Sequence, residues 1–276
     1  MIEKQTAKQN LHTHTTFADG KDTPEELVLE AISRGFTSIG FSEHTFMKFS
    51  TYPHQMTVEK TEDYKKEIAN LKEKYKGIID IFCGLEFEFF SDLNTDGFDY
   101  LIGSVHYLNI DGKILGFDRS LDETIAYVKD NFNGNGLKFA EKYYQTVATL
   151  PTKRKFDIIG HFDQIVKNND KGKFFDTASK EYLGYGYEAI NALKGKIPFF
   201  EVNTGVISRG YRQVPYPQIE FMKEFNRCGF GAVITSDCHN KNYLDCAFDL
   251  AKDCLISAGF KTHWILTNDG FKEIEL

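Results

Sequence analysis

Short apolar runs alternate along this chain with longer segments in which apolar positions recur every three or four residues. The short runs predict strands, and the longer segments predict amphipathic helices. The predicted strands are residues 9–14, 38–42, 78–87, 100–106, 156–161, 197–203 and 231–236, and residues 263–267 predict one more short strand at an edge.

The helix that follows the first strand has well-marked ends. Thr23 is predicted as its N-cap, Pro24 as its first residue and Glu26 as the capping-box partner, and a glycine follows its last residue. Asp111 and Gly112 lie between two apolar runs and predict a hairpin turn. The other predicted helices are residues 60–76, 121–132, 137–150, 177–193, 218–227 and 243–258.

This order of elements predicts one α/β barrel. Consecutive strand–helix units require right-handed crossovers between parallel strands of one sheet. Because about seven such units are visible, one fewer than in a (β/α)8 barrel, we expect a distorted seven-stranded (β/α)7 barrel that resembles a TIM barrel. The 276 residues are 41% hydrophobic, which suffices for one core, so residues 1–276 are predicted to form a single domain.

Composition narrows the classes of partner. The net charge of −7 disfavours binding to long nucleic acids, whose backbone is also negative. The five cysteines are odd in number and form no CxxC pair, which favours a reducing, cytoplasmic setting. The first ten residues do not resemble a signal peptide, and no apolar stretch approaches the ~20 residues of a membrane span.

Imidazole and carboxylate groups stand at the ends of six predicted strands. They are His12, His14, His44, Glu86, His106, His161, Asp237 and His239. Active sites of barrel enzymes lie at the carboxyl ends of the strands, and these groups are the ligands that zinc, manganese and iron prefer. Residues i and i+2 of a strand face the same side, so His12 is expected to point with His14 and Asp237 with His239. The pattern therefore predicts a metal centre at the mouth of the barrel.

Four further acidic or histidine residues need separate interpretation. Asp19 is near His14 and is a candidate ligand, although aspartate is also common in turns. Glu43 precedes His44 and is expected to face away from it, so it is not counted. His54 and His263 have no neighbouring ligand in the sequence and are interpreted as structural.

In these motifs the chain resembles the polymerase-and-histidinol-phosphatase (PHP) family. The matching segments are His12-Thr13-His14 with Asp19-Gly20, Ser42-Glu43-His44, Gly84-Leu85-Glu86, Ser104-Val105-His106, Gly160-His161-Phe162-Asp163 and Ser236-Asp237-Cys238-His239. They span residues 12–239 in the family's order. A further stretch resembles the histidinol-phosphatase branch, with Glu201-Val202-Asn203-Thr204-Gly205, Ser208-Arg209-Gly210 and Pro215-Tyr216-Pro217.

The resemblance implies a distorted seven-stranded barrel with up to three divalent metals, zinc, manganese or iron. The implied ligands of the first metal are His12, His14, Glu86 and Asp237. The implied ligands of the second are Glu86, as a bridge, with His106 and His161. The implied ligands of the third are Asp19, His44 and His239.

Such a centre suits the hydrolysis of a phosphate monoester. Clustered cations neutralise the charge of the ester and lower the pKa of a bound water, so that a hydroxide bridging the metals would attack phosphorus. Glu86 and Asp237 would be catalytic as ligands, and Asp237 or a metal-bound water would protonate the leaving group. Arg209, on the loop after the sixth strand, suits a bidentate phosphate contact, and Lys167 is a second candidate for the phosphate.

The leading hypothesis is a phosphatase of L-histidinol phosphate in histidine biosynthesis, with a small-molecule ester as its partner. For the imidazole and ammonium of this substrate, the candidates are Asp163 and Glu88, and Phe46, Phe117 and Tyr216 are candidates for stacking on the ring. Residues 108–136, rich in Gly, Asn and Asp, are interpreted either as a lid or as a surface insertion.

Three alternatives stay open on the sequence. A PHP-type nuclease or nucleotide phosphoesterase would keep the metals and change the substrate. A metal-binding module without turnover would keep the metals and lack activity. An amidohydrolase on an eight-stranded barrel also begins with a His-x-His pair, but no candidate for a carboxylated lysine stands at a strand end after it.

Overall fold

Parallel strands and the helices between them make up the computed structural model, which describes residues 7–50, 55–169 and 172–276. The strands are β1 (Gln9–Asn10), β2 (Ser38–His44), β3 (Asp80–Glu88), β4 (Tyr100–Ser104), β5 (Tyr107–Ile110), β6 (Lys113–Gly116), β7 (Ile158–Ile159), β8 (Phe199–Asn203), β9 (Gly231–Thr235), β10 (Thr262–Thr267) and β11 (Gly270–Glu275). The helices are α1 (Pro24–Ser33), α2 (Val58–Lys74), α3 (Leu121–Phe132), α4 (Gly136–Ala148), α5 (Leu150–Lys153), α6 (Lys180–Leu193), α7 (Gly205–Ser208), α8 (Ile219–Cys228) and α9 (Phe248–Ser257).

Seven strands form one parallel sheet that curves into a barrel. Their spatial order is β1, β2, β3, β4, β7, β8 and β9, and neighbouring strands are hydrogen-bonded to each other. The first and last strands meet at their carboxyl ends, where the backbone N–H of His14 donates to the carbonyl of Cys238 (2.8 Å) and that of Cys238 donates to the carbonyl of His12 (3.1 Å). The nearly closed seven-stranded barrel predicted from the sequence is therefore confirmed.

Strands β1 and β7 are only two residues long, because side chains near the site take over the next backbone donors. The N–H of His12 donates to the side chain of Asn10 (3.1 Å), so β1 ends at residue 10 rather than 14. The N–H of His161 donates to the carboxylate of Glu201 (2.6 Å), so β7 consists of Ile158 and Ile159 only.

The capping box predicted for the first helix is present. The Thr23 side chain accepts from the backbone N–H of Glu26, and the Glu26 carboxylate accepts from the backbone N–H of Thr23 (2.9 Å). The turn predicted at Asp111 and Gly112 joins β5 to β6, which pair as an antiparallel hairpin outside the barrel sheet. Of the helices in the described ranges, none has the length and apolar content that crossing a membrane requires.

A second hairpin covers the amino-terminal ends of the barrel strands. The sequence predicted only one edge strand here, but β10 pairs with β11. The side chain of Gln9, at the start of β1, donates to the carbonyl of Leu266 (2.7 Å) and accepts from its N–H (2.7 Å). Trp264 and Phe271 pack on Phe199 at the start of β8, with ring centroids 5.1 and 4.3 Å away. The hairpin closes this end, which leaves the opposite end for polar groups.

Candidate metal centre

Nine imidazole and carboxylate side chains predicted as ligands come together at the carboxyl end of the barrel. Within the described residues they fall into three groups whose potential ligand atoms lie within 4.8 Å of one another. The groups are His12, His14 and Asp237; Glu86, His106 and His161; and His14, Asp19, His44 and His239. The structure thus groups all nine in nearly the combinations implied by the family resemblance, with His14 in two groups.

Glu86 on β3 lies between the first two groups, and its two oxygens face different groups. Oε1 is 2.6 Å from Nε2 of His161 and 3.3 Å from Nε2 of His106. Oε2 is 3.5 Å from Nε2 of both His12 and His14. The side chain is only 2% exposed. This arrangement suits a carboxylate that bridges two metal ions.

Asp19 stands between the two outermost histidines. Its Oδ1 is 3.3 Å from Nε2 of His239, and its Oδ2 is 3.5 Å from Nε2 of His44. The turn that carries Asp19 lies directly on the backbone of His14. A Cβ on Gly20 would be 2.2 Å from the carbonyl oxygen of His14, so only glycine fits there.

Asp237 follows β9 in a left-handed conformation with φ of 46°. For a residue other than glycine this conformation is unfavourable by about 1–3 kcal/mol, and it persists only where neighbouring contacts impose it. Here Arg209 donates to Oδ2 of Asp237 (2.9 Å) and to its backbone carbonyl (3.1 Å). The turned backbone places Oδ1 3.4 Å from Nε2 of His14.

Two further carboxylates orient the histidines from behind. Glu201 on β8 accepts from Nδ1 of His12 (2.9 Å), and Glu88 on β3 accepts from Nδ1 of His106 (3.1 Å). Each contact assigns the proton to Nδ1 and turns the lone pair of Nε2 toward the centre. No role for Glu201 was predicted from the sequence. Its only signal was its place in a strand of the histidinol-phosphatase-like stretch.

Glu43 has a similar position behind His14. Its side chain is fully buried, and its Oε1 accepts from the backbone N–H of Thr15 (2.8 Å). Its Oε2 lies 3.9 Å from Nδ1 of His14. Burial raises the pKa of Glu43 to about 8.

The electrostatics of the three groups depend on close contact between imidazoles and carboxylates. Burial alone would raise the pKa of Glu86, but His44, His106 and His12 hold it well below its usual value. Burial would lower the pKa of His12, but Glu201, Asp237 and Glu86 raise it well above its usual value. Burial, with His239 and His44 nearby, lowers the pKa of His14 to about 3.

The donor set fits divalent cations. Nε2 of His12 and both ring nitrogens of His14 are buried and have no hydrogen-bond partner among the described residues. Leaving buried polar atoms unsatisfied is unfavourable by about 1–3 kcal/mol each. A cation among the two Nε2 atoms and the facing carboxylates of Glu86 and Asp237 would satisfy both Nε2 atoms, and nitrogen and oxygen donors suit zinc, manganese and iron.

A cavity of about 450 Å³ opens onto the groups, and Arg209 and Lys167 both line it. Nζ of Lys167 donates to Oδ1 of Asp118 (2.6 Å), and Nε2 of Gln164 donates to Oδ2 of the same carboxylate (2.7 Å). Asp118, which the sequence analysis did not single out, follows β6. Residues 108–136 thus contribute one wall of the cavity, together with Glu88 and Tyr216.

Two suggested substrate contacts lie elsewhere. Asp163 is 1% exposed, does not line the cavity, and accepts from the backbone N–H of Gln218 (2.9 Å). Its carboxylate therefore positions the start of α8, which corrects its predicted role in substrate binding. Phe117 is 3% exposed and packs in the core against Phe139 rather than lining the cavity.

Among the described residues, one further histidine, His263, is apart from the three groups. His263 lies in β10 and is 6% exposed. Burial and the charge of Lys252 lower its pKa to about 4. His54, interpreted as structural, lies outside the described residues.

The chain is similar to several histidinol-phosphatases along most of its length. It is 26% identical to a Schizosaccharomyces pombe protein named "Probable histidinol-phosphatase", covering 85% of this chain and 81% of that protein. It is 27% identical to the histidinol-phosphatase of Bacillus subtilis, covering 88% and 97% of the two chains. The crystal structure of histidinol phosphate phosphatase from Lactococcus lactis, complexed with zinc, L-histidinol and phosphate, matches with a TM-score of 0.70 and 22% identity, covering 96% of this chain and 98% of that one.

A family model supplies the assignment. The model described as the PHP domain matches residues 10–204, well over half of the chain. That range includes seven of the nine grouped residues, from His12 to His161, and the orienting carboxylate Glu201. Asp237 and His239 lie beyond it, and the barrel continues through β9. This chain belongs to the PHP domain family.

Proposed function

We propose that this protein is a metal-dependent phosphatase that hydrolyses L-histidinol phosphate to L-histidinol and phosphate, a step in histidine biosynthesis. The observation that carries the proposal is the position of Glu86, whose two oxygens face two groups of imidazoles beside a cavity lined by Arg209 and Lys167. The names of the relatives similar to this chain support the choice of substrate.

The proposed ligands are those implied by the motifs. One metal would be held by His12, His14, Glu86 and Asp237, and a second by Glu86, His106 and His161. A third would be held by Asp19, His44 and His239. His14 also lies close to this last group, with Nδ1 3.7 Å from Oδ1 of Asp19. Zinc, manganese and iron all accept this donor set, so availability decides which is bound.

Bound metals would neutralise the charge of the ester and supply an activated water near neutral pH. The protein's own cations would hold the other phosphate oxygens. Arg209 lies at the rim of the centre, 33% exposed, with its position fixed by Asp237. Its guanidinium would contribute the fork-like contact that suits phosphate, and Lys167 would add a point charge from the facing loop.

Asp237 is better suited to hold a metal than to protonate the leaving group. Burial would raise the pKa of its carboxyl, but Arg209, His12 and His14 hold it well below its usual value. A carboxylate that is ionised at neutral pH has no proton to give. The leaving alkoxide must therefore take its proton from another group.

We propose further that residues 1–276 act as one domain in the cytoplasm. The segment that follows β9 lies beyond the family match, carries Asp237 and is hydrogen-bonded to the segment that follows β1. All five cysteines are free thiols, which supports a reducing compartment.

The test is phosphate release from L-histidinol phosphate by protein loaded with manganese or zinc. p-Nitrophenyl phosphate and a short DNA oligonucleotide would be measured under the same conditions. The proposal requires a much higher kcat/KM on L-histidinol phosphate, abolished by a chelator and restored by metal. Turnover of the oligonucleotide or the generic ester alone would move the function to a nuclease or a broad phosphoesterase, and no turnover would favour a binding module.

A further inference from the structure

Glu201 is a fully buried carboxylate at the back of the metal centre. It lies in the middle of β8, and its exposed fraction is zero. Oε2 accepts from Nδ1 of His12 (2.9 Å) and from Oγ1 of Thr235 (2.8 Å). Oε1 accepts from the backbone N–H of His161 (2.6 Å) and from Nδ2 of Asn203 (2.9 Å). All four acceptor positions of the carboxylate are thus filled.

These contacts connect two different ligand groups. His12 belongs to the group with His14 and Asp237, whereas His161 belongs to the group with Glu86. Oε2 of Glu201 fixes the ring of His12, and Oε1 fixes the backbone of His161. The contacts also join β1, β7, β8 and β9 at the level of the centre, so a shift of this carboxylate would disturb both groups.

We infer that Glu201 is a positioning residue for both groups at once, so that metal binding on the His12 side and on the His161 side depends on one buried carboxylate. The inference rests on the proposed metal binding and not on the proposed substrate. An ionised carboxylate accepts all four hydrogen bonds, whereas a glutamine at this position has one acceptor oxygen and an NH2 group that only donates. The Glu201→Gln substitution therefore leaves at least one of the two histidines without its acceptor. It also places the NH2 group of the glutamine, a donor, opposite the N–H of that histidine.

Glu88 provides the matched comparison. It is also a buried glutamate, 3% exposed, and its Oε2 accepts from both the backbone N–H (2.8 Å) and Nδ1 (3.1 Å) of His106. It therefore contacts a histidine of one group only. Glu88→Gln is the same chemical change with a consequence limited to that group. Thr235→Val removes one hydrogen bond to Glu201 and leaves both of its histidine contacts in place.

The experiment is calorimetric titration of zinc into chelator-treated wild-type, E201Q, E88Q and T235V proteins. Loss of an outer partner of a metal ligand typically lowers metal affinity about 10- to 100-fold. We expect E201Q to weaken all the tight sites of the first two groups by about this factor, E88Q to weaken only part of the binding, and T235V to bind zinc like the wild type. An unchanged isotherm for E201Q, or one that loses only the sites lost in E88Q, would overturn the inference.

A second measurement does not require any variant to fold. In the zinc-loaded wild-type protein, 15N NMR of the imidazoles should show His12 protonated at Nδ1 and metal-bound through Nε2. Protonation at Nε2 would exclude the contact with Glu201 and overturn the inference. A wild-type protein that binds no zinc overturns it together with the metal centre. One that binds zinc but does not hydrolyse L-histidinol phosphate refutes only the proposed substrate.

Discussion

The substitution Glu86→Gln tests the centre at its most connected point. Glutamine keeps the shape of the side chain, removes its charge and replaces one oxygen by an NH2 group that cannot bind a metal. The ring nitrogens within 3.5 Å of the Glu86 oxygens belong to His12, His14, His44, His106 and His161. The change therefore removes an anion that contacts histidines of all three ligand groups while leaving the packing of β3 nearly unaltered.

The expected loss follows from simple electrostatics. Two unit charges 4 Å apart interact by about 4 kcal/mol at an effective dielectric constant of 20. This constant is appropriate even though Glu86 is only 2% exposed. Because each 1.4 kcal/mol is a tenfold change, metal affinity should fall by about three orders of magnitude. Because the bound ion carries two charges rather than one, this fall in metal affinity is a lower bound. The value of kcat/KM should fall by at least the same factor.

The assay compares metal content after gel filtration with phosphate release from L-histidinol phosphate. Glu224→Gln is the control, because Glu224 is 9% exposed, belongs to α8 and is hydrogen-bonded to Arg227 rather than to any group of the centre. We expect wild-type metal and activity in E224Q, and the loss of both in E86Q. An E86Q protein that keeps its metals, with or without activity, would refute the bridging role of Glu86.

Three other changes have defined outcomes. Arg209→Ala, assayed at saturating metal because Arg209 also holds the ligand Asp237, should raise KM for the phosphate ester about 10- to 100-fold, as expected for a charge-assisted contact of about 1.5–3 kcal/mol, and an unaltered KM would remove Arg209 from the site. Asp118→Asn and Lys167→Ala should each raise KM, and the double variant should raise it by less than the product of the two single effects, because Asp118 is proposed to act by holding Lys167. A double variant whose KM rises by the full product would show that the two residues act independently. His263 is buried and its pKa is lowered to about 4, so the folded protein keeps this residue neutral while the unfolded chain takes up a proton as the pH falls through about 6.5. Urea unfolding of the wild type should therefore lose about 1 kcal/mol more between pH 7 and 5.5 than that of His263→Gln, and equal losses would contradict this assignment.

The barrel could be predicted because its strands are buried on both faces. In β4 and β8 every residue is buried, which gives the short continuous apolar runs that distinguish strands of a parallel sheet. By contrast, β11 has only two apolar residues, Phe271 and Ile274, and most of its other side chains are exposed. It pairs with β10 along six residues, and its Phe271 packs on Phe199, a tertiary contact that leaves no periodic pattern in the sequence.

The ligands could be predicted because they stand at strand ends, but the groups that orient them could not. Glu201 lies inside an apolar strand, and a single carboxylate there does not reveal which strands it will contact. Asp118 lies in a loop, and its role depends on hydrogen bonds from Lys167 and Gln164, which are more than forty positions later in the chain. Asp163 was misassigned for the converse reason, since its nearness in sequence to His161 did not place it in the cavity.

Two pairs of ligands were predicted to face the same side, and they converge for different physical reasons. The pairs are His12 with His14 and Asp237 with His239. His12 and His14 lie on either side of Thr13, which forms a single parallel bridge with Cys238 beyond the end of β1. Asp237 instead has a left-handed backbone that turns the chain after β9. That turn brings Cys238, fully buried, into hydrogen bonds with the backbone on both sides of Thr13. The contact that closes the barrel therefore lies between the two pairs of ligands. Closing the barrel and assembling the first ligand group are one structural event, so a bound metal would also stabilise the seam between the first and last strands.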